Sequence, residues 1–436
     1  MKKSFLIIFF LVINTFGQEY QQDFQKITSR YGYEIYRPAY VGFNYFVDYQ
    51  GTDWQPLLYL TVSIQNDFLQ FTRTEGKFTT EFQITVTIRD EQKTLLSKTW
   101  QQKEKLLDFE KTNSRKDFQK KNYKIVFADE GLDIVPGEYE VHIEVHDLLS
   151  SREYKNKRKL VIAKPNENPK FSASAIAFFS HENNENETEL RLSSTRNLIE
   201  FNSPYNAMAT IEMPDVDSLG TNIRVYKRND SEKSLISQTF IKQVANKSGI
   251  FELSYALPYK MLEEGDYLIR FSFGTAQDDF EIERQFSVAW LSKPLYLYRS
   301  DLAIRPMKYL LSEEQIEEVK ELKIEELDNW FTAFWKERDP SPNTTYNELL
   351  DEFYKRVTEA VRQYSNRFKE GWQTDRGRIL LLYGEPTEVE NRKYSVNSVP
   401  HIIWKYTDKN GEMVFTFVDK NKTGIFTLID EETGQN

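Results

Sequence analysis

The strongest constraint on this chain is a two-residue period. Tyr139-Glu140-Val141-His142-Ile143-Glu144-Val145-His146 alternates strictly, with every polar side chain on one face. Phe82-Gln83-Ile84-Thr85-Val86-Thr87-Ile88 follows the same rule, and Leu58, Leu60, Val62 and Ile64 mark one face of a third run. Successive residues of a strand point to opposite faces, so such runs between turn clusters predict antiparallel sheets with one wet face. With 31 Phe, 25 Tyr and 7 Trp in 436 residues, the chain can fill several cores. That length suggests about three domains at roughly 150 residues each. There are no cysteines, which excludes disulfides, thiolate metal sites and cysteine nucleophiles. The net charge of -10 argues against nucleic acid as a partner, because neutralising phosphates needs a basic surface.

Two blocks carry the β pattern, residues 40–163 and 170–291. The second is marked by Thr221–Tyr226, Ile250–Tyr255 and Tyr267–Phe273. The blocks echo each other. Pro136-Gly137-Glu138-Tyr139 opens the penultimate strand of the first, and Glu264-Gly265-Asp266-Tyr267 opens the matching strand of the second. A final strand follows in each, Lys157–Ile162 and Gln285–Trp290. A Gly-acid-Tyr turn before a late strand resembles immunoglobulin-like and fibronectin-like modules, and each block has the size of one sandwich. Two unrelated antiparallel domains are the alternative. Residues 164–169, Lys-Pro-Asn-Glu-Asn-Pro, read as a linker.

The N-terminus carries an address. Met1-Lys2-Lys3 is followed by an apolar run over residues 4–13, then by small residues around Thr15-Phe16-Gly17. This predicts a secretory signal peptide over residues 1–17, cleaved before Gln18, with an N-terminal segment to residue 39. The run is too short to span a bilayer, which takes roughly 20 residues. The expected location is the periplasm or the exterior, with no membrane span after signal removal.

After Trp290 the period changes. Ser312-Glu313-Glu314-Gln315 is a capping box, predicting a helix to about Leu322. A second helix places Leu327, Trp330, Phe331 and Phe334 on one stripe and stops before Asp339-Pro340. A third has Leu349, Phe353, Val357, Val361, Tyr364 and Phe368 at three- and four-residue steps, with Gly371 at the C-cap position. Arg378–Tyr383, apolar on both faces, reads as a central strand. His401–Tyr406, Met413–Val418 and Ile425–Ile429 complete four strands, with a hairpin turn at Asp408–Gly411. The predicted fold is thus multidomain and mainly β. Two tandem antiparallel sandwiches precede an α+β domain of three helices and a four-stranded antiparallel sheet over residues 300–430.

Gly371-Trp372-Gln373-Thr374-Asp375-Arg376-Gly377-Arg378, then Tyr383-Gly384-Glu385-Pro386, resembles the defining motif of the GWxTD domain family. Phe334–Pro340, Phe353–Val357 and Phe417-Val418-Asp419 fit its flanking parts. Glu337 stands where many members carry a second basic residue, and the late Gly-Phe-Gly turn is reduced to Gly424-Ile425-Phe426. The resemblance implies an exported protein of Bacteroidetes-type bacteria and an α+β domain behind β-sandwich regions. It implies no reaction.

The motif gathers Arg338, Asp339, Glu352, Arg356, Asp375, Arg376 and Arg378 among Gly371, Trp372, Thr374, Gly377, Tyr383, Gly384 and Pro386. One reading is an anion or glycan pocket with Trp372 as a stacking platform, since a guanidinium fork suits carboxylates. The better-supported reading is structural. A turn Asp375 accepting backbone and arginine bonds beside a buried Trp372 would lock helix to sheet. Catalysis through Asp375 and Glu352 is disfavoured, because neighbouring arginines would keep both acids ionised where one must donate a proton. Tyr383–Pro386 lacks the spacing of a phosphate loop, and no Gly-x-Ser-x-Gly elbow occurs. His142, Glu144 and His146 share a strand face that could hold a metal but reads better as solvated. Asp215–Gly220 and Arg115–Lys121 read as surface turn and loop. The chain is therefore expected to bind no cofactor and to act as a non-catalytic exported protein that contacts an envelope protein or glycan. The alternative is an envelope carbohydrate-active enzyme using the Asp375 region.

Overall fold

The computed structural model describes residues 24–28, 34–38, 40–50, 55–114, 117–162, 171–183, 188–193, 197–229, 233–245, 249–274, 279–393, 399–408 and 411–435. The expected signal peptide (1–17) and linker (164–169) lie outside them. In the segment between, Phe24–Thr28 and Glu34–Pro38 pair antiparallel. Among the described residues no helix is long and apolar enough to cross a membrane. The chain divides into two compact units, Met1–Leu291 and Ser292–Asn436, so the two β blocks share one unit.

The first block runs β1 (Val41–Gln50), β2 (Gln55–Gln65), β3 (Lys77–Arg89), β4 (Thr94–Leu106), β5 (Phe118–Val126), β6 (Gly137–Asp147) and β7 (Glu153–Ile162). One antiparallel sheet has the order β1-β2-β5 and the other β7-β6-β3-β4, with Thr72–Thr74 added to β3. The alternation decides what the sheets bury. Leu58, Leu60, Val62 and Ile64 of β2 share a core with Phe82, Ile84, Val86 and Ile88 of β3 and Val141, Ile143 and Val145 of β6.

The second block runs β8 (Ala177–Asn183), β9 (Tyr205–Glu212), β10 (Ser218–Arg228), β11 (Lys233–Val244), β12 (Ile250–Ala256), β13 (Gly265–Gly274) and β14 (Asp279–Ala289). Its sheets are β8-β9-β12 and β14-β13-β10-β11, the same connections strand for strand. Short segments at Ser172–Ala173, Thr188–Leu192 and Leu198–Glu200 extend them, the last parallel to β14. The Gly-acid-Tyr echo is thus a repeated corner. Tyr139 donates to the Val135 carbonyl at 2.7 Å and Tyr267 to the Glu263 carbonyl at 3.0 Å, each four residues upstream.

One expectation needs correction. The outer face of β1-β2, expected to be wet, is covered where Phe46 and Tyr59 meet Phe179 of the second block. The Phe179 ring stands edge-on to both at 6.2 and 6.3 Å. Beside it the Asn44 amide donates to the Ser193 carbonyl at 2.6 Å. Burying aromatics here removes apolar area from water and joins the two blocks.

The second unit contains α1 (Glu313–Glu321), α2 (Ile324–Glu337), α3 (Glu348–Tyr364) and α4 (Asp375–Tyr383). An antiparallel sheet follows in the order β15 (Glu388–Arg392), β16 (His401–Asp408), β17 (Gly411–Val418), β18 (Thr427–Gln435). The Ser312 capping box is formed at α1, and α2 ends before Pro340. Three expectations fail. Arg378–Tyr383 is helix, not strand, because Thr374 caps Asp375–Tyr383 and its Ile379, Leu380 and Leu381 are buried. A short apolar run does not by its period distinguish a buried strand from a helix. The fourth strand is Glu388–Arg392 instead. Third, α3 stops at Tyr364 rather than continuing to a C-cap at Gly371, and Phe368, expected on its stripe, is exposed.

Candidate functional site

The segment Gly371–Gly377 joins α3 to α4, and its glycines, Trp372, Thr374 and Asp375 each have a separate mechanical job. A Cβ on Gly371 would lie 1.7 Å from the Ala360 carbonyl oxygen, and one on Gly377 1.9 Å from the Gly371 oxygen. Backbone meets backbone at both places, so only glycine fits. The Gly371 N–H donates to Ser365 Oγ at 2.8 Å. Trp372 is 4 % exposed, and its indole N–H points at Tyr296 Oη and Glu370 Oε2, both at 2.9 Å. Thr374 Oγ1 donates to the Gly371 carbonyl at 2.7 Å and accepts from the Gly377 N–H at 3.1 Å, the N-cap bond of α4.

Asp375 is the first residue of α4, where a negative charge suits the helix dipole. Its Oδ2 accepts from the Leu428 N–H of β18 at 2.8 Å. The arginine partner expected for it is absent among the described residues. Arg376 instead lies between two rings, 4.6 Å from the Tyr364 centroid and 4.9 Å from that of Phe426. Burial holds its guanidinium below the ordinary range, partly offset by Tyr364, whose hydroxyl burial pushes up to about 12. Arg378 is half-buried on α4 and forms no ion pair among the described residues.

The far end of α4 is held by Arg356, which pairs with Glu352 at 2.9 Å and reaches the Leu381 carbonyl at 3.3 Å. Gly384 has φ +79°, lies against that guanidinium, and accepts from the Tyr406 hydroxyl at 2.9 Å. Tyr383 packs on Tyr406 and Phe415 of the sheet, and Pro386 is half-buried on the way to β15. Arg338 and Asp339 belong elsewhere. Arg338 donates to the Phe334 carbonyl at 2.9 Å, closing the end of α2, and pairs with Glu337 at 2.8 Å. Asp339 accepts from the Ser341 N–H at 2.8 Å. The expected residues therefore serve two places, the ends of α4 and the end of α2.

A cleft of about 550 Å³ opens beside Trp372. Ile304, Leu311, Ile316, Val319 and Trp372 form its apolar wall. Arg305, Lys308 and Lys320 stand exposed around it, and its one carboxylate is Glu370. Lys308 Nζ lies 5.2 Å from the Trp372 ring centroid. Trp372 is therefore no open stacking platform. No local sequence pattern marks this cleft. The Glu370/Gln373 capping pair was legible three residues apart, whereas Tyr296 joins Trp372 across 76 positions with no local signal.

In the first unit His142 bonds Glu140 at 2.9 Å, so the expected His142–Glu144–His146 face does not converge. His146 sits instead with Glu144 and the cross-strand Glu153, and the Lys155 ammonium pairs with both carboxylates. Asp215 occupies a left-handed turn position (φ 62°). Arg115 and Lys116 lie outside the described residues, and Phe118–Lys121 begins β5 rather than forming a loop.

Residues 278–431 match the family model of the GWxTD domain, and the C-terminal domain is of that family. The match begins upstream of the expected residue 300 and takes in β14. No curated protein matches the sequence. Among solved structures, a red sea bream transglutaminase is similar at 10% identity and a TM-score of 0.20, over 58% of this chain and 32% of its own length.

Proposed function

We propose that this chain is an exported cell-envelope protein without a reaction of its own. Two immunoglobulin-like modules space or bind, and the GWxTD domain contacts an envelope protein or a glycan. The observation that carries this reading is that the motif's polar groups are engaged internally. The Trp372 N–H, the Thr374 hydroxyl and the Asp375 carboxylate all hold neighbouring backbone or side chains in place. A hydrolase of glycosidic bonds needs two carboxyl groups facing one substrate, roughly 5–9.5 Å apart. The cleft beside Trp372 offers only Glu370, which already accepts from Trp372 and Tyr296. Glu352 is tied to Arg356. The immunoglobulin-like assignment is supported by the three-plus-four strand order and by the paired tyrosine corners. Export is supported by the basic start and the apolar run over residues 4–13.

Co-purification of the tagged chain from envelope fractions tests the reading. Recovery of a specific protein or glycan is the expected result. Reproducible recovery of nothing, together with cleavage of cell-wall sugars by the pure chain, would overturn it.

A further inference from the structure

We infer that the cleft beside Trp372 binds an amphipathic anion, an alkyl chain carrying a carboxylate head. Its volume of about 550 Å³ falls within the roughly 300–1,000 Å³ of small-molecule sites. Charge selects the head. Arg305 and Lys308 form no ion pair among the described residues, whereas Lys320 is already paired with Glu317 at 2.5 Å. The acids nearby are already compensated: Glu317 by Lys320, Asp301 by Arg299, and Glu370, the one carboxylate of the lining, is committed to Tyr296 and Trp372. In a chain of net charge -10 this is a locally cationic mouth. An anionic head is attracted there and a cationic one repelled.

The wall selects the tail. No residue of α1 is buried, and its Ile316 and Val319 turn toward the cleft opposite Ile304 and Leu311. Covering this aliphatic surface with hydrocarbon removes it from water. A glycan is a poor fit to the same wall. Sugar hydroxyls facing Ile304, Leu311, Ile316 and Val319 would be left without partners, and such groups are costly to desolvate. The usual aromatic platform is missing too, since Trp372 is buried with Lys308 over its ring. The inference does not rest on the scaffold reading. Failure to bind an amphiphile leaves partner capture untouched, and failure of capture leaves amphiphile binding untouched.

Isothermal titration of the full chain with dodecanoate, below its micelle concentration, tests the inference. One-to-one saturable binding is expected. Dodecyltrimethylammonium, with the same tail and the opposite head, should bind at least tenfold more weakly. The double variant Arg305→Ala/Lys308→Ala should weaken dodecanoate at least tenfold, and Ile316→Asp should abolish binding. The two cations are exposed and Lys308 contributes only its contact over the Trp372 ring, so the double variant should stay folded and decides the matter if Ile316→Asp misfolds. The inference is overturned by the absence of saturation, by equal affinity for the ammonium amphiphile, or by wild-type affinity in the double variant. It is equally overturned if an oligosaccharide, or an apolar peptide ending in a free carboxylate, binds more tightly than dodecanoate.

Discussion

The β blocks and the C-terminal domain hold themselves together by different means. In the blocks, stability is spread over a repeated pattern. Any one of Ile84, Val86, Ile143 or Val145 is one apolar side chain among many in the same core. In the C-terminal domain the joint between α3 and α4 depends on a few individual contacts: two glycines each against one carbonyl, one indole N–H, one carboxylate on one strand N–H. A periodic core tolerates small changes in volume, while a backbone-to-backbone contact does not. Repetition thus makes a module robust, and close approach makes a motif specific.

The sharpest test of this contrast adds one methyl group in one region and removes one in the other. Gly371→Ala places a Cβ 1.7 Å from the Ala360 oxygen, and α3 must separate from the following turn. A loss of about 4 kcal/mol or more is expected, among the severe effects of single substitutions. Ile143→Val should cost only about 1 kcal/mol. Hydrogen exchange on the full chain would localise both effects, and comparable losses would break the comparison. Trp372→Ala should follow at about 3–5 kcal/mol, because a large buried ring is removed. Protection should then be lost across residues 371–383, and unchanged exchange there would mean that the indole does not hold the joint.

Asp375→Ala should cost about 1.5 kcal/mol, the low end for a bond to a charged group, since the carboxylate is only half-buried. Asp375→Asn should cost roughly half as much, because an amide oxygen still accepts from Leu428. A variant as stable as the wild type in thermal melts would reject the lock and favour a ligand-facing Asp375. Effects of the same small size are expected in the repeated corner. Tyr267→Phe should cost about 1 kcal/mol and Tyr139→Phe about 0.5 kcal/mol, since Tyr267 is fully buried and Tyr139 is not. Equal losses at the two positions would show that burial does not scale the value of the bond.

Much of the β architecture was legible because an alternating strand states its own buried face. The strands at Phe82–Ile88 and Tyr139–His146 fall inside β3 and β6. The bounds of α1 and α2 were legible too, from Ser312 and Pro340, whose effects act within one turn. The motif residues were legible as a group, but their partners were not. Asp375 finds Leu428 53 positions away, and Trp372 finds Tyr296 76 positions away.

By itself the sequence determined where apolar faces repeat, where capped helices start and stop, and which blocks echo each other. Each of those properties is written in short segments, a few residues long. Only the tertiary structure decided that Arg378–Tyr383 is a helix, because a short apolar run fits a buried strand and a helix equally well. It also decided that Gly371 is a contact point rather than a helix cap, since the atom that excludes a side chain there, the Ala360 oxygen, belongs to the preceding helix. The cleft beside Trp372 is of the same kind. Its wall draws on Ile304, Ile316 and Trp372, which no local pattern links and which only packing brings together.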